Sequence, residues 1–530
     1  MQDIPATRAA ISAPSFADIV RAHALERPGA VALRYRDRAT NYAELDQHSD
    51  RIAQALLGRS APGDRIAYLG KNSDIAVALT LGIAKAGMVL VPIIWRLAQS
   101  EIDYILRDSG AKMLFVEDEF VERAPVIASL CTVKMTSGNA STSSGSADFD
   151  SWVATAPEGM PAAAPLADDV LLQIYTSGTT GRPKGAMLSH ANATRYRQII
   201  DAANLEWLAS EPGETELLAM PYGHIAGVGQ ALLILLSAGE MIIHREFDPA
   251  ALLDAIPEHR LKRLFLVPAA LQILLAHPKA ADTDFSSLRY FSYGASPIPV
   301  PLLEAGMARL GCNFVQVYGM TETWGGVVAL PPEDHDPARR HLLAAAGKPM
   351  PGVEIRIRDA GGDLLGPGQV GEIEVRSPSN MLGYWGQESA TRAVLSNDGW
   401  LRTGDAGIID RDGYLFIQDR IKDMIITGAE NVYPAEVESA IYGHPDVADV
   451  AVIGVPDPKW GEAVEAVGVP VSGATPDPAA IISFARERIA GYKCPKSIDF
   501  VEMLPRNPSG KNLRRELREP YWEGLDRRVS

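Results

Sequence analysis

Cysteine is nearly absent. Cys131, Cys312 and Cys494 are the three in 530 residues, widely spaced, and no CxxC pair occurs. That excludes a disulfide framework and a cysteine zinc site, and it fits a reducing compartment. Long hydrophobic runs are missing as well. The longest, residues 231–239 (ALLILLSAG), falls far short of the ~20 residues that cross a bilayer, so no transmembrane segment is expected. The first 14 residues show neither the basic nor the apolar part of a secretory leader, so a cytoplasmic location is expected. A basic excess is lacking too: 50 Lys and Arg face 66 Asp and Glu, a net charge of -16. Nucleic acid is therefore not an expected partner, although one cleft can still hold an anionic ligand. No internal repeat is evident.

What is present is an ordinary globular composition, 47% hydrophobic and 22% charged. The length predicts more than one folding unit at ~100–200 residues each. Residues 16–25, 42–57 and 75–86 read as helices, and residues 30–35, 64–69 and 88–93 as short apolar strands. Such alternation predicts an α/β fold with parallel sheets covered by helices. Residues 136–147 (TSGNASTSSGSA) read as a polar surface loop. Residues 347–417 are rich in β-branched residues in short pieces and suggest a twisted β subdomain. A small α+β pattern then restarts, with helices near 434–442 and 478–488 and a strand at 447–455. A boundary falls at 419–422.

Residues 175–185 read YTSGTTGRPKG, directly after an apolar strand at 170–174. Glycines let backbone N–H groups converge on a phosphate, hydroxyls donate further hydrogen bonds, and Lys184 adds a cation. The GxxxxGK[ST] spacing of a Walker loop is absent. Composition alone leaves an ordinary flexible loop the commoner outcome for such a run.

The string itself is more specific. With MPYGHIAG (220–227), SYGASPIP (292–299), QVYGMTET (316–323), WLRTGD (400–405), DRIKDMIITGAENVYPAEVE (419–438) and PRNPSGKNLRREL (505–517), the chain resembles the acyl-activating, adenylate-forming superfamily. These motifs stand in family order along nearly the whole chain, and the pattern is closest to bacterial fatty-acid–CoA ligases. The resemblance implies a large N-terminal domain (1–419) of two doubly wound sheets plus a β subdomain. A small mobile C-terminal α+β domain (420–530) would turn on a hinge near Lys422. It implies ATP, Mg²⁺ and coenzyme A, a small-molecule carboxylic acid, and leaves room for a homodimer.

Site residues follow from the same resemblance. Thr176, Ser177, Gly178, Thr179, Thr180, Gly181 and Lys184 would wrap the phosphates. Tyr318 would stack on adenine against a wall of Gly294, Ala295 and Ser296, although a lone strand-end Tyr is more often core. Gln316, Gly319, Met320 and Ile417 would complete the nucleotide site. Thr321 and Glu322 would serve the α-phosphate and Mg²⁺, with Thr179 also near the metal. Asp405 would hold the ribose hydroxyls, with Arg420 beside it; either alone would more often be a surface ion-pair partner.

His224 would border the acyl carboxylate, with no general-base duty, because a carboxylate is already ionised at neutral pH. Lys511 would bridge carboxylate and phosphate and offset charge in the transition state. The acyl pocket would take His224, Ala226, Gly227, Gly229, Tyr293, Gly319 and Trp324, its glycines leaving room for a tunnel. The apolar run at 228–236 suits a hydrophobic acid or a buried core helix. Gly428, Ala429 and Glu430 would line a pantetheine channel. The expected reaction is that of an acyl-CoA ligase acting on a medium- to long-chain fatty or other hydrophobic acid. The alternatives are an aryl, steroid or terpenoid acid, or a catalytically dead nucleotide- or acyl-binding paralogue.

Overall fold

The computed structural model describes residues 15–124, 130–135, 149–176, 182–428, 430–506 and 512–523. Helix starts follow from local chemistry. Ser15 and Asp18, Asn41 and Glu44, and Ser189 and Asn192 form reciprocal capping boxes that satisfy the otherwise orphaned first N–H groups. Helices Pro249–Glu258, Pro268–Ala276, Pro434–Tyr442 and Pro478–Arg486 each begin on proline, whose missing N–H costs nothing there.

Among the described residues the strands form four sheets. The first orders Gly383–Tyr384, Lys184–Ser189, Val170–Thr176, Val89–Ile94, Arg65–Gly70, Met113–Glu117 and Cys131–Met135. Its members from Val170–Thr176 onward run parallel. The second orders Lys348–Pro349, Gly325–Leu330, Asn313–Met320, Tyr290–Gly294, Arg263–Leu266, Thr215–Leu218, Glu240–Ile243, Val31–Tyr35 and Arg38–Asn41. An antiparallel four-stranded sheet of Glu354–Arg358, Gly371–Arg376, Trp400–Ile409 and Leu415–Arg420 is the expected β subdomain. The smaller C-terminal domain carries the last sheet, of Glu430–Val432, Ile425–Thr427, Gly461–Pro470, Val447–Asp457 and Ser497–Phe500. Its own core gathers Ile425, Val437, Val452, Val464, Ile481 and Ile498.

Helix Asp74–Lys85 packs between the two large sheets and is buried from Ala76 to Lys85. A helix covered on both sides has no use for a polar face, which is why its sequence reads apolar all round. The one charge at its end, Lys85, is buried and donates to the Asp46 carbonyl at 2.8 Å and to Asp50 Oδ1 at 2.7 Å. Pairing makes that burial tolerable.

The helix expected at 42–57 has those bounds, and that near 434–442 likewise. The strands expected at 64–69 and 88–93 sit one residue later, as Arg65–Gly70 and Val89–Ile94. Residues 136–147 lie outside the described residues.

Two buried histidines give the fold a pH dependence. His190 Nδ1 accepts from Phe16 N at 3.3 Å, and His335 lies 3.0 Å from the Tyr293 hydroxyl and 2.9 Å from Pro331 O. Burial pushes both imidazoles down to about 4. Unfolded, each titrates near ~6.5. Between these limits the unfolded chain binds more protons, so stability is full above ~6.5 and falls as the pH drops toward 4. The urea midpoint is expected to be lower at pH 5 than at pH 7.5, and His190→Gln should flatten that slope. Equal midpoints for the wild-type protein would refute the assignment.

Candidate active site

Strand Asn313–Met320 ends in the single turn Thr321–Thr323, then doubles back through Trp324 into strand Gly325–Leu330. Thr323 Oγ1 closes this hairpin by accepting from Met320 N at 3.0 Å. The turn delivers Glu322, which is 4% exposed, to the carboxyl end of the other large sheet. There its Oε1 accepts from Thr176 Oγ1 at 3.0 Å and from the Tyr384 hydroxyl at 3.0 Å. Its carbonyl accepts from Met381 N at 2.7 Å. Burial, then the adjacent Glu322 charge, raise the Tyr384 phenol, so it stays a donor. Lys184 Nζ stands 5.2 Å from the centre of the Tyr384 ring. Among the described residues no hydrogen bond reaches Glu322 Oε2.

A second cluster forms where the β subdomain meets the same strand end. Asp405 and Arg420 are register partners on neighbouring strands. Asp405 Oδ2 accepts from the Tyr318 hydroxyl at 2.7 Å, and its Oδ1 pairs with Arg420 Nε at 2.9 Å. Thr403 Oγ1 accepts from Asp405 N at 3.1 Å, and Arg420 Nη1 donates to Thr403 O at 3.2 Å. Burial and the Asp405 charge raise the Tyr318 phenol well above its ordinary value. Two carboxylate oxygens still have lone pairs beyond these bonds for ligand hydroxyls. Tyr318 is thus tied at its tip, and it packs against the apolar cluster that joins Val327 and Val328 of the nine-stranded sheet to Ile373 of the β subdomain.

The remaining expected residues sort as follows. Gly294 ends strand Tyr290–Gly294, Ala295 follows at φ 67°, exposed, and Ser296 is half-buried. Gly319 and Met320 close strand Asn313–Met320, and Ile417 lies on Leu415–Arg420, all half-buried. Gln316 is buried with its Oε1 3.2 Å from the Tyr293 hydroxyl.

Tyr293, expected at the acyl wall, is fully buried in the core beside Phe314, its hydroxyl between Gln316 and His335. His224 precedes a π-helical turn, Ile225–Gly229, and its carbonyl accepts from Gly227 N and Val228 N. The glycines read as room for a tunnel have another cause at two positions. A Cβ on Gly227 would meet Pro221 O at 2.2 Å, and one on Gly326 would meet Val317 Cγ1 at 2.0 Å. Residues 230–236 form the core helix Gln230–Leu236, with Ala231, Leu232, Ile234 and Leu235 buried.

Lys422 lies in the turn Ile421–Asp423, and Gly428 and Glu430 lie at the strands beside it. Ser177, Gly178, Thr179, Thr180, Gly181, Ala429 and Lys511 lie outside the described residues. Sequence reasoning missed Tyr384, Met381 and Thr403. No local sequence signal pointed to the first, whose role comes from a bond to a residue 62 positions away.

The turn after strand Asn313–Met320 and the neighbouring β subdomain thus supply one carboxylate each, Glu322 and Asp405, to the same strand end. Residues 20–385 match the AMP-binding enzyme family, and residues 436–511 match the AMP-binding enzyme C-terminal domain. The chain belongs to this family. It is 41% identical over 513 residues to the fatty acid–[acyl-carrier-protein] ligase ScoC of Streptomyces coeruleorubidus, 96% of each chain. It is also 41% identical over 499 residues to a feruloyl-CoA synthase of an Amycolatopsis species, covering 93% of this chain and 96% of the relative. The crystal structure of ATP-bound MatB from Rhodopseudomonas palustris superposes with a TM-score of 0.85 at 32% identity, covering 95% and 99% of the two chains.

A hydrogen bond to a buried charged group contributes about 1.5–3 kcal/mol. Tyr384→Phe and Thr176→Val should each lower unfolding stability by that order. In a Glu322→Ala background, Tyr384→Phe should cost far less, because both donors act on one oxygen. Additive losses in a double-mutant cycle would show that Glu322 does not carry them.

Proposed function

We propose that this AMP-forming acyl-CoA ligase takes a hydrophobic carboxylic acid, holds its nucleotide at the two clusters above, and runs its two half-reactions there in turn. The observation that carries the reading is Glu322: buried, one oxygen fixed by two donors, the other open, at the joint of two sheets. In the first step the acid's carboxylate attacks the α-phosphate of ATP and pyrophosphate leaves. In the second the CoA thiol displaces AMP from the acyl-adenylate. A carboxylate is a poor electrophile, and the mixed anhydride corrects that.

Asp405 and Arg420 hold the ribose, and Tyr318, fixed at its hydroxyl, presents its ring to the base between strand end and subdomain. Thr321 and Lys184 face the phosphates. Lys511 bridges the acyl carboxylate and the α-phosphate, a fixed cation that offsets charge developing in the transition state. His224 borders the acid without taking its proton.

The open oxygen of Glu322 fits Mg²⁺, which prefers one or two carboxylates plus phosphate oxygens and water. Among the described residues no cluster of three or more His, Cys, Asp or Glu side chains is arranged to hold a metal by itself, consistent with that mode. The ion, when bound, neutralises phosphate charge. Residues 420–530 act as the lid on a hinge at Lys422: one closed form inserts Lys511, and the other brings Gly428, Ala429 and Glu430 to the thiol channel. Relatives of equal identity are named for a fatty acid and for feruloyl substrates, so similarity alone does not separate alkyl from aryl acids.

The test is ATP-dependent pyrophosphate release across alkyl, aryl and steroid-derived acids, with and without CoA. Turnover with one class, and acyl-CoA as product, is expected; silence from every acid sinks the reading in favour of a binding protein. Lys511→Ala should lower adenylation by about 10²–10³-fold, while a preformed acyl-adenylate still reacts with CoA. Normal adenylation by that variant would remove Lys511 from the first step.

Gly428 has φ 59°, and a Cβ there would stand 2.6 Å from the Trp460 ring. Gly428→Leu should therefore spare pyrophosphate release but block thioester formation. Unchanged acyl-CoA output would take Gly428 out of the channel.

A further inference from the structure

Polar groups without partners occur on the elements that pack about Gly326. The Trp324 indole N–H and Gln230 Oε1 are buried and, among the described residues, meet no hydrogen-bonding atom. Gln230 Nε2 donates to Leu217 O at 3.2 Å, so its amide is oriented and the oxygen is left over. Burial raises the Tyr196 phenol with neither a charge nor a hydrogen bond contributing. Its hydroxyl stands 3.1 Å from the point a Cβ on Gly326 would occupy.

These side chains come from helix His190–Ala202, from the head of helix Gln230–Leu236, and from the turn that opens strand Gly325–Leu330. The two helices pack together, and the strand packs on the turn Ile225–Gly229 that follows His224. Tyr196, Val228, Ala231 and Trp324 share one apolar cluster.

Trp324 is strained as well. It is 2% exposed and sits at φ 60°, ψ 24°, the left-handed region that a bulky residue seldom occupies. Such strain persists where the surroundings over-determine it, and it concentrates at binding sites. Trp324 lies two residues beyond Glu322, on the acyl side of the turn. A buried donor or acceptor left unmade is costly, and an unsubstituted alkyl chain would leave all of these groups unmade.

We propose that the acyl site has a polar far end, built from Tyr196, Gln230 and Trp324, that selects hydrophobic acids bearing an oxygen function remote from the carboxylate. This rests on the ligase reading above and narrows its substrate class. The Trp324 N–H donates to a carbonyl, ether or hydroxyl oxygen, Gln230 Oε1 accepts from a hydroxyl, and the Tyr196 hydroxyl serves either way. A site built to hydrogen-bond a substrate group rejects the analogue that lacks it far more strongly than an apolar pocket rejects an added methylene.

The experiment compares matched acids by pyrophosphate release: para-hydroxycinnamate against cinnamate, and ω-hydroxydodecanoate against dodecanoate. The expected result is a kcat/KM at least tenfold higher for the oxygenated member of one pair, and which pair identifies an aryl or an alkyl frame. Trp324→Phe, which keeps a ring and loses the N–H, and Gln230→Leu should each shrink that ratio severalfold. Because the readout is a ratio, partial unfolding, which lowers both rates alike, does not imitate it. Preference for the unsubstituted acid in both pairs, or a ratio unmoved in both variants, overturns the proposal. Absence of release from all four acids overturns the ligase reading itself.

Discussion

Glu322 accepts from Thr176 and from Tyr384 with a single oxygen, and through that oxygen three separated segments are fixed to one another. Thr176 ends a strand of the seven-stranded sheet, Glu322 follows a strand of the nine-stranded sheet, and Tyr384 sits at the first sheet's edge. A buried carboxylate needs such donors, since leaving it bare would be expensive. The need cuts both ways. The donors stabilise the charge, and the charge holds two sheets in a fixed relation at the ends of their strands, where ligands of open α/β sheets bind.

The Asp405 cluster depends on that relation. Tyr318 lies on the same strand as the Glu322 turn, and its hydroxyl reaches across to Asp405 of the β subdomain. Arg420 meets the other oxygen of Asp405 from the neighbouring strand. The two carboxylates are therefore set by one strand end, with different surroundings: among the described residues one has an oxygen left open, while the other is bound at both oxygens yet retains lone pairs. That difference would suit, in the proposed reading, a cation at Glu322 and hydroxyl donors at Asp405.

The motifs, their order and most element bounds were legible because they depend on local chemistry: caps at Ser15, Asn41 and Ser189, apolar period, and loop composition. Tyr384 was not legible. Its role comes from a bond to a residue 62 positions away, and nothing in LGYW announces it. The glycine at 227 was visible, but a glycine marks close approach without saying what approaches, here Pro221 O. Trp324 was named for the acyl pocket, yet its backbone angle and its unmade N–H exist only in three dimensions.

Asp419 and Arg420 are adjacent but serve different halves of the molecule. Arg420 pairs with Asp405 in the large domain. Asp419 accepts from Ala435 N at 2.9 Å and pairs with Arg514 at 3.0 Å, and Arg514 in turn holds Glu438 at 2.9 Å. Two neighbouring residues just before the turn Ile421–Asp423 are thus anchored in opposite directions. Separating Arg514 from Asp419 would strand that buried carboxylate, at about 3–5 kcal/mol, while Glu438, of the same domain as Arg514, would keep its partner. By contrast, the lid touches the large domain elsewhere through contacts as light as Gln272 Nε2 to Ala448 O, 2.8 Å. A swing of the lid that keeps Arg514 with Asp419 must absorb its rotation between Asp419 and its own preceding strand. A rotation at the turn Ile421–Asp423 would instead have to hydrate or re-pair Asp419, so the Asp419–Arg514 pair opposes movement of the smaller domain away from that strand.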